Sequence, residues 1–189
     1  MIAIIDIGAG NLSTIARVTG GKITLDSQEI ENADKIIFPG VGSFQYVSGI
    51  IKPVQKILRE RIKSGIPYLG ICLGLEMLFD SSEEGNGEGL GIIPGRIKKF
   101  TSVKTPHMGW NQVKNLTNIP IMEDIQGNSF FYFMHSYYAP DTVYTAMETD
   151  YGGYFTSGIR YNNIYGVQFH PEKSGDAGIR LLKNFGAIS

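Results

Sequence analysis

The residues best suited to chemistry in this sequence are one thiol, one imidazole and one carboxylate. Cys72, the only cysteine, lies in Gly70-Ile71-Cys72-Leu73-Gly74, between an apolar run that reads as a buried strand and another that reads as a helix. A glycine two residues before and another two residues after permit a sharp strand-to-helix turn, the spacing of the Gly-x-Ser-x-Gly nucleophile elbow. Far downstream, Gly166-Val167-Gln168-Phe169-His170-Pro171-Glu172 runs from a strand into a loop and offers His170 and Glu172 two residues apart. The thiolate is the reactive form of cysteine. Backbone N–H groups of a helix starting at Leu73 and an imidazole alongside would stabilise it. In that role His170 is the base, and Glu172 would fix the ring and stabilise the imidazolium. The backbone N–H of Leu73 and one from the turn Pro39-Gly40-Val41-Gly42, at Val41 or Gly42, would stabilise an oxyanion. Together these groups describe acyl transfer.

Each group also has a plainer use. A cysteine after an apolar strand can be a small buried hydrophobe, a histidine in a turn can be structural, and a proline-glycine turn can be only a turn. Their joint occurrence favours chemistry, because all three segments can meet at the carboxyl edge of one parallel sheet, where α/β sites form.

The elements that must position them follow from apolar periodicity. The first half alternates strands with helical patterns, which predicts a parallel sheet covered on both faces. Strands are expected at 2–6, 22–25, 35–38 and 66–71, with a short helix near 12–18 and one from Leu73 to about Phe79. Ile50, Val54, Ile57, Leu58 and Ile62 predict one continuous amphipathic helix, stopped at Gly65. Ser81 to Gly91, rich in glycine and acid, reads as an exposed loop. Six short strand candidates follow: Lys98 to Val103, Gln112 to Lys114, Phe130 to Met134, Tyr144 to Glu148, Phe155 to Arg160 and Ile164 to Phe169. Asn162-Asn163 is expected to form a type I′ turn, and a last helix runs from about Ala177 to Phe185. The expected architecture is an open, mostly parallel, flavodoxin-like α/β sheet with helices on both faces and an added antiparallel region, as a single domain over 1–189.

Size and charge narrow the function. A chain of 189 residues buries roughly 70 % of the surface its unfolded form exposes, so no disulfide or metal is needed for stability. His107, His135 and His170 are too dispersed to suggest a zinc cluster, and no cofactor motif stands out. A net charge of −1 with scattered lysines argues against nucleic acid. Residues 1–6 read as a core strand rather than a leader, and no run is long enough for a membrane span. The expected setting is the cytoplasm.

The elbow Gly-Ile-Cys-Leu-Gly and the segment Gly-Val-Gln-Phe-His-Pro-Glu resemble those of the triad, or class I, glutamine amidotransferases letter for letter. The resemblance implies that Cys72 attacks the side-chain amide of glutamine, His170 shuttles the proton and Glu172 orients it. Further segments are similar to one branch, the glutaminase subunits of imidazole glycerol phosphate synthase. They are Asp6 to Leu12, Pro39-Gly40-Val41-Gly42-Ser43-Phe44, Gly89 to Gly95, Pro106-His107-Met108-Gly109-Trp110-Asn111 and Tyr132 to Tyr138. This likeness implies that Gly40, Gly42, Glu76, Ser136 and Tyr137 meet the substrate. It implies that Trp110, Tyr132 and Lys173 face a (β/α)₈-barrel cyclase subunit, and that the Gly40–Gly42 turn becomes competent only when that partner holds its own ligand. His107 and His135 are left as structural or interface residues. Glu76 departs from the glutamine usual at its position, and the first helix is shorter than the pattern leads one to expect. Two other readings stay open at this stage. One is the glutaminase subunit of anthranilate or aminodeoxychorismate synthase, whose pattern usually has Pro-Gly-Pro-Gly in place of Pro-Gly-Val-Gly. The other is a non-catalytic relative that only docks on a barrel partner.

Overall fold

The computed structural model describes residues 1–188. Its first four strands, β1 (Ile2–Ile5), β2 (Lys22–Thr24), β3 (Lys35–Phe38) and β4 (Tyr68–Ile71), are short and largely apolar. Burial of β1, β3 and β4 between two helix layers explains why they read as runs and not as alternations. The helices between them are α1 (Leu12–Thr19), α2 (Ser27–Glu31), α3 (Phe44–Ile51) and α4 (Gln55–Lys63). The four-residue helix α5 (Leu73–Glu76) follows β4 directly.

The second half supplies β5 (Ser81–Ser82), β6 (Gly85–Glu88), β7 (Arg96–Lys99), β8 (His107–Gln112) and β9 (Lys114–Asn115). Next come β10 (Phe130–His135), β11 (Tyr137–Tyr138), β12 (Thr145–Asp150), β13 (Tyr154–Tyr161) and β14 (Ile164–Val167), then α6 (Gly175–Ala187). Eight strands form the central sheet in the order β2-β1-β3-β4-β14-β13-β12-β9. The pairs from β2 to β14 are parallel, and those from β14 to β9 are antiparallel. This is the mostly parallel sheet with an antiparallel extension that the sequence predicts. Helices α2, α3 and α4 cover one face around Phe38, Phe44 and Leu58, while α1 and α6 cover the other around Ile15, Leu181 and Phe185. Two smaller sheets, β8 with β10 and β11-β7-β5-β6, lie outside the main one.

Five expectations need correction. The strand expected at Lys98 to Val103 is β7, Arg96–Lys99, and stops four residues earlier. The single helix predicted from Ile50 to Ile62 is two, because Pro53 lacks an N–H and its ring obstructs the preceding turn, so α3 ends at Ile51 and α4 begins at Gln55. Ser81 to Gly91 is not a simple loop but holds the antiparallel pair β5 and β6. Its glycine-rich β6 is pinned to α3, with Glu88 N–H donating to Ser48 Oγ at 2.9 Å and Asn86 N–H donating to Gln45 Oε1 at 3.4 Å. At the β13–β14 turn only Asn162 takes a positive φ (54°), so the turn is not type I′, which needs both central residues there. The helix expected from Leu73 to Phe79 stops at Glu76. The short helix α2 carried too little periodicity to be seen, although Asp26 caps it by accepting from the N–H groups of Gln28 and Glu29.

Candidate active site

The order β3-β4-β14 sets three strand ends side by side. β3 leads into the Pro39–Gly42 turn, β4 into Cys72, and β14 into His170. The register Gly70↔Gly166 and Ile71↔Val167 aligns the last two, and Cys72 N–H donates to Val167 O at 2.7 Å.

Cys72 itself carries the elbow's unusual backbone, with φ 52° and ψ −104°. The flanking glycines serve a different need from the conformational freedom the spacing suggests. Neither has a positive φ, but a Cβ on Gly70 would lie 2.4 Å from Gly74 O, and a Cβ on Gly74 would lie 1.7 Å from Phe38 O. They allow α5 to rest directly on β3 and β4. The strain at Cys72 leaves the residue 5 % exposed, with its sulfur on the wall of a cavity.

His170 and Glu172 are buried, with side-chain exposures of 1 % and 2 %, and His170 Nδ1 lies 2.9 Å from Glu172 Oε1. A neutral ring that donates from Nδ1 to Glu172 leaves Nε2 for the thiol. Nε2 is buried without a partner in hydrogen-bond geometry, and the Cys72 sulfur is near enough to act on it electrostatically. Burial alone would lower the His170 pKa. The nearby Cys72 sulfur, followed by the hydrogen bond and charge of Glu172, reverses that and raises it to about 10. An imidazole raised in this way holds a proton firmly and is placed to take one from the thiol.

The cavity, of about 260 Å³, is lined by Val41, Gly42, Cys72, Leu73, Glu76, Ser136 and Tyr137 among the predicted residues. Gly40 is not on its wall. It packs beneath, where a Cβ would lie 2.8 Å from Ile7 Cδ1 and 3.3 Å from Leu73 Cβ, so Gly40 contributes by close packing and not by lining the pocket. The Gly40 carbonyl accepts from Leu73 N–H at 3.4 Å, so one expected oxyanion donor is weakly engaged by the very turn that would supply the other.

Sequence reasoning missed Glu84, Pro106 and Met134 on this wall, and His135, left as a structural or interface residue, also lines it. Glu84 reaches it from the segment read as exposed loop, with Oε2 accepting from Phe44 N–H at 2.6 Å. His135 belongs to a buried chain. Its Nδ1 lies 2.7 Å from Tyr137 O, its Nε2 lies 2.9 Å from His107 Nδ1, and His107 Nε2 lies 3.1 Å from Asn111 Nδ2. Two neutral rings, each protonated at Nδ1, satisfy every link. Burial lowers the His107 pKa to about 4. Burial, with Tyr137 O opposing it, lowers that of His135 to about 3. Only spatial pairing of β8 with β10, through His135↔His107, creates this arrangement.

The residues expected to face a partner also gather in one place. Trp110 and Tyr132 are opposite each other across β8 and β10 with ring centroids 6.2 Å apart, and Lys173 Nζ stands 5.9 Å from the Tyr132 ring. Met108, Trp110 and Phe130, all more than half exposed, extend an apolar face along the same two strands. Tyr132 O accepts from His170 N–H at 2.8 Å, so this face is one hydrogen bond from the base.

Comparison with known proteins adds kinship to geometry. Residues 10–188 match the family described as glutamine amidotransferase class-I. The chain is 52 % identical over 189 residues to the imidazole glycerol phosphate synthase subunit HisH of Picrophilus torridus, covering all of both chains. It is 47 % identical to the protein of the same description from Thermococcus kodakarensis, covering 98 % of each. A crystal structure of a glutamine amidotransferase superposes with a TM-score of 0.76 over 99 % of each chain, and at 13 % identity that likeness speaks for the fold alone.

Proposed function

The chain belongs to the class I glutamine amidotransferases, in the branch of imidazole glycerol phosphate synthase HisH subunits, and from that membership and the site geometry we propose how it works. It is a glutaminase subunit of that synthase in histidine biosynthesis. Cys72, His170 and Glu172 hydrolyse glutamine in the 260 Å³ cavity and deliver ammonia to a (β/α)₈-barrel cyclase docked on the Trp110, Tyr132 and Lys173 face. The observation that carries this reading is the junction of Cys72 with the His170–Glu172 pair at adjacent ends of β4 and β14.

The chemistry follows from the atoms present. The Cys72 thiolate attacks the side-chain carbonyl carbon of glutamine, and the new oxyanion is met by N–H groups of Leu73 and of the Val41–Gly42 turn. Collapse of the tetrahedral intermediate breaks the C–N bond while His170 gives its proton to the leaving nitrogen, releasing ammonia and a glutamyl thioester. Water then attacks the thioester with His170 as base, and the C–S bond breaks to release glutamate and restore the thiol. At the far end of the cavity Ser136 and Tyr137 offer polar groups to the α-carboxylate, and Glu84 offers a carboxylate to the α-ammonium.

The weak Leu73 N–H to Gly40 carbonyl bond fits a resting state in which the oxyanion site is incomplete. A partner that repositions the turn frees that donor and brings a second. Because Tyr132 holds the His170 backbone, docking on its strand also reaches the base. We propose a cytoplasmic setting, which a lone free cysteine and the biosynthetic family support. Among the described residues no helix is long and apolar enough to cross a membrane.

The test measures glutamate release by the chain alone, with a barrel cyclase, and with cyclase plus its phosphoribulosyl ligand. We expect near silence alone and stimulation of at least 10²-fold with both, abolished by Cys72→Ala. Equal rates in all three mixtures would overturn the coupling. Stimulation by the partner of anthranilate synthase and not by the cyclase would redirect the assignment. Failure of a glutamine-mimicking electrophile to label Cys72 in the assembled complex would mean a docking protein without catalysis.

A further inference from the structure

Glu76 is a carboxyl group with almost no water and no cation of its own. It is 4 % exposed, ends α5, and lines the cavity. Its one side-chain partner among the described residues is Gln168 Nε2, which donates to Oε1 at 3.1 Å. The groups around it do not favour a second negative charge. From the β5–β6 segment comes Glu84, itself a carboxylate, and from β11 the neutral phenol of Tyr137. Cys72 shares the cavity wall, and after β14 comes His170, whose Nδ1 is already held by Glu172.

The hydrogen-bond inventory points the same way. Gln168 is fully buried and its Oε1 has no partner, so the Gln168–Glu76 pair is one donor short. A protonated Glu76 carboxyl is a donor beside this pair, whereas an ionised one adds only acceptors. Its ionised form would instead be a nearly dry charge with a single hydrogen bond, which costs several kcal/mol when unpaired.

We propose that Glu76 serves this pocket as a neutral carboxylic acid, and that glutamine binds while it holds its proton and is weakened as it ionises. The proposal rests on the glutaminase reading above and adds a substrate-binding control to it. Ionisation would set a negative charge in the cavity that must receive the substrate's α-carboxylate. It would also stand close to the reacting sulfur, since the same Gln168 Nε2 lies 3.1 Å from Glu76 Oε1 and 3.8 Å from Cys72 Sγ. Burial raises the Glu76 pKa, with the Gln168 amide opposing and Glu84 reinforcing, to about 8, so the change falls just above neutrality. Below that pH the acid form prevails, and above it the carboxylate.

Calorimetric binding of glutamine to the Cys72→Ser chain in complex with the cyclase and its ligand tests this, compared with Cys72→Ser/Glu76→Gln, whose amide is neutral at every pH. The α-amine of glutamine titrates equally in both, so the ratio of the two Kd values is the readout. From pH 7 to pH 9 we expect that ratio to rise about 10-fold against the glutamate form. A ratio independent of pH, or binding at pH 7 at least ten times tighter with Glu76→Gln, overturns the proposal while leaving the glutaminase reading intact. Absence of glutamine binding to both proteins overturns that reading as well. A ¹³C-carboxyl NMR titration of the unaltered chain serves if the double variant does not fold: one glutamate must titrate above pH 7, and finding all of them below pH 6 refutes the idea.

Discussion

Replacing Gly74 by alanine strikes the contact that holds the nucleophile elbow in place. The new Cβ would lie 1.7 Å from the carbonyl oxygen of Phe38 and 2.7 Å from its carbonyl carbon. Phe38 ends β3, which is paired on both sides by β1 and β4, so the strand cannot yield. Helix α5 must move instead, by roughly 1.3 Å to reach the 3.0 Å at which Cβ contacts begin. Overpacking of side chains costs about 1–3 kcal/mol, and a clash with paired backbone belongs at the top of that range or above it. At about 2–4 °C per kcal/mol for a chain of this size, the melting temperature should fall by roughly 6–12 °C. The same displacement carries the Leu73 N–H and Cys72 away from the oxyanion position, and about 1 Å of misplacement costs on the order of 10²-fold in rate. Calorimetric melting and cyclase-stimulated glutamate release read both effects. Gly49→Ala is the control, because its Cβ meets nothing within 4 Å and its φ is not positive. It should leave activity unchanged and stabilise α3 by about 0.5–1 kcal/mol. Melting within 2 °C of wild type and activity within twofold for Gly74→Ala would refute the idea that close backbone packing, not turn flexibility, explains the second glycine of the elbow.

Two further outcomes follow from buried rings and exposed ones. The folded pKa values of His107 and His135, about 4 and 3, lie below the ordinary histidine value, so their contribution to stability is full above about pH 6.5 and is lost as pH falls. Between pH 6.5 and 5 each should steepen the loss by up to about 1.4 kcal/mol per pH unit, and a His107→Gln/His135→Gln variant should show a flatter limb in urea unfolding; parallel limbs would refute it. His170, raised instead of lowered, has the opposite sign and is common to both proteins. Trp110→Ala should weaken cyclase binding by about 2 kcal/mol, roughly 30-fold, in a titration of stimulated activity, while the melting temperature of the 56 % exposed site stays within 2 °C. An unchanged affinity would move the interface elsewhere.

How much could be read without coordinates depended on whether a feature was local. The strand run Tyr68–Ile71 was legible because burial on both faces leaves consecutive apolar residues, and α4 because burial of one helix face leaves a period. The break between α3 and α4 is marked in sequence only by Pro53, and the apolar spacing that continues across it masks that signal. β6 left no such pattern. Its sequence, Gly85-Asn86-Gly87-Glu88, has poor strand propensity, and it is a strand because Gln45 and Ser48 of α3 hold its backbone. Glu84 was hidden for the same reason: its place on the pocket wall depends on contacts with residues forty positions away.

The residues we propose as catalytic were legible by type and spacing, but their meeting was not, and strand order is what supplies it. Nothing within Gly70–Gly74 says that its strand will pair with one more than ninety residues later. Once β14 docks parallel to β4 in the register Val167↔Ile71, Cys72 follows one residue after its strand and His170 three residues after its own, at the same edge. Inserting β14 elsewhere in the sheet would leave both motifs intact in sequence and useless in space. The bond from Cys72 N–H to Val167 O ties the strained residue to that neighbour. Backbone strain at φ 52° is therefore held by the contact that brings the base within reach, and a shift of register along β14 should relax the elbow and disarm the thiol together.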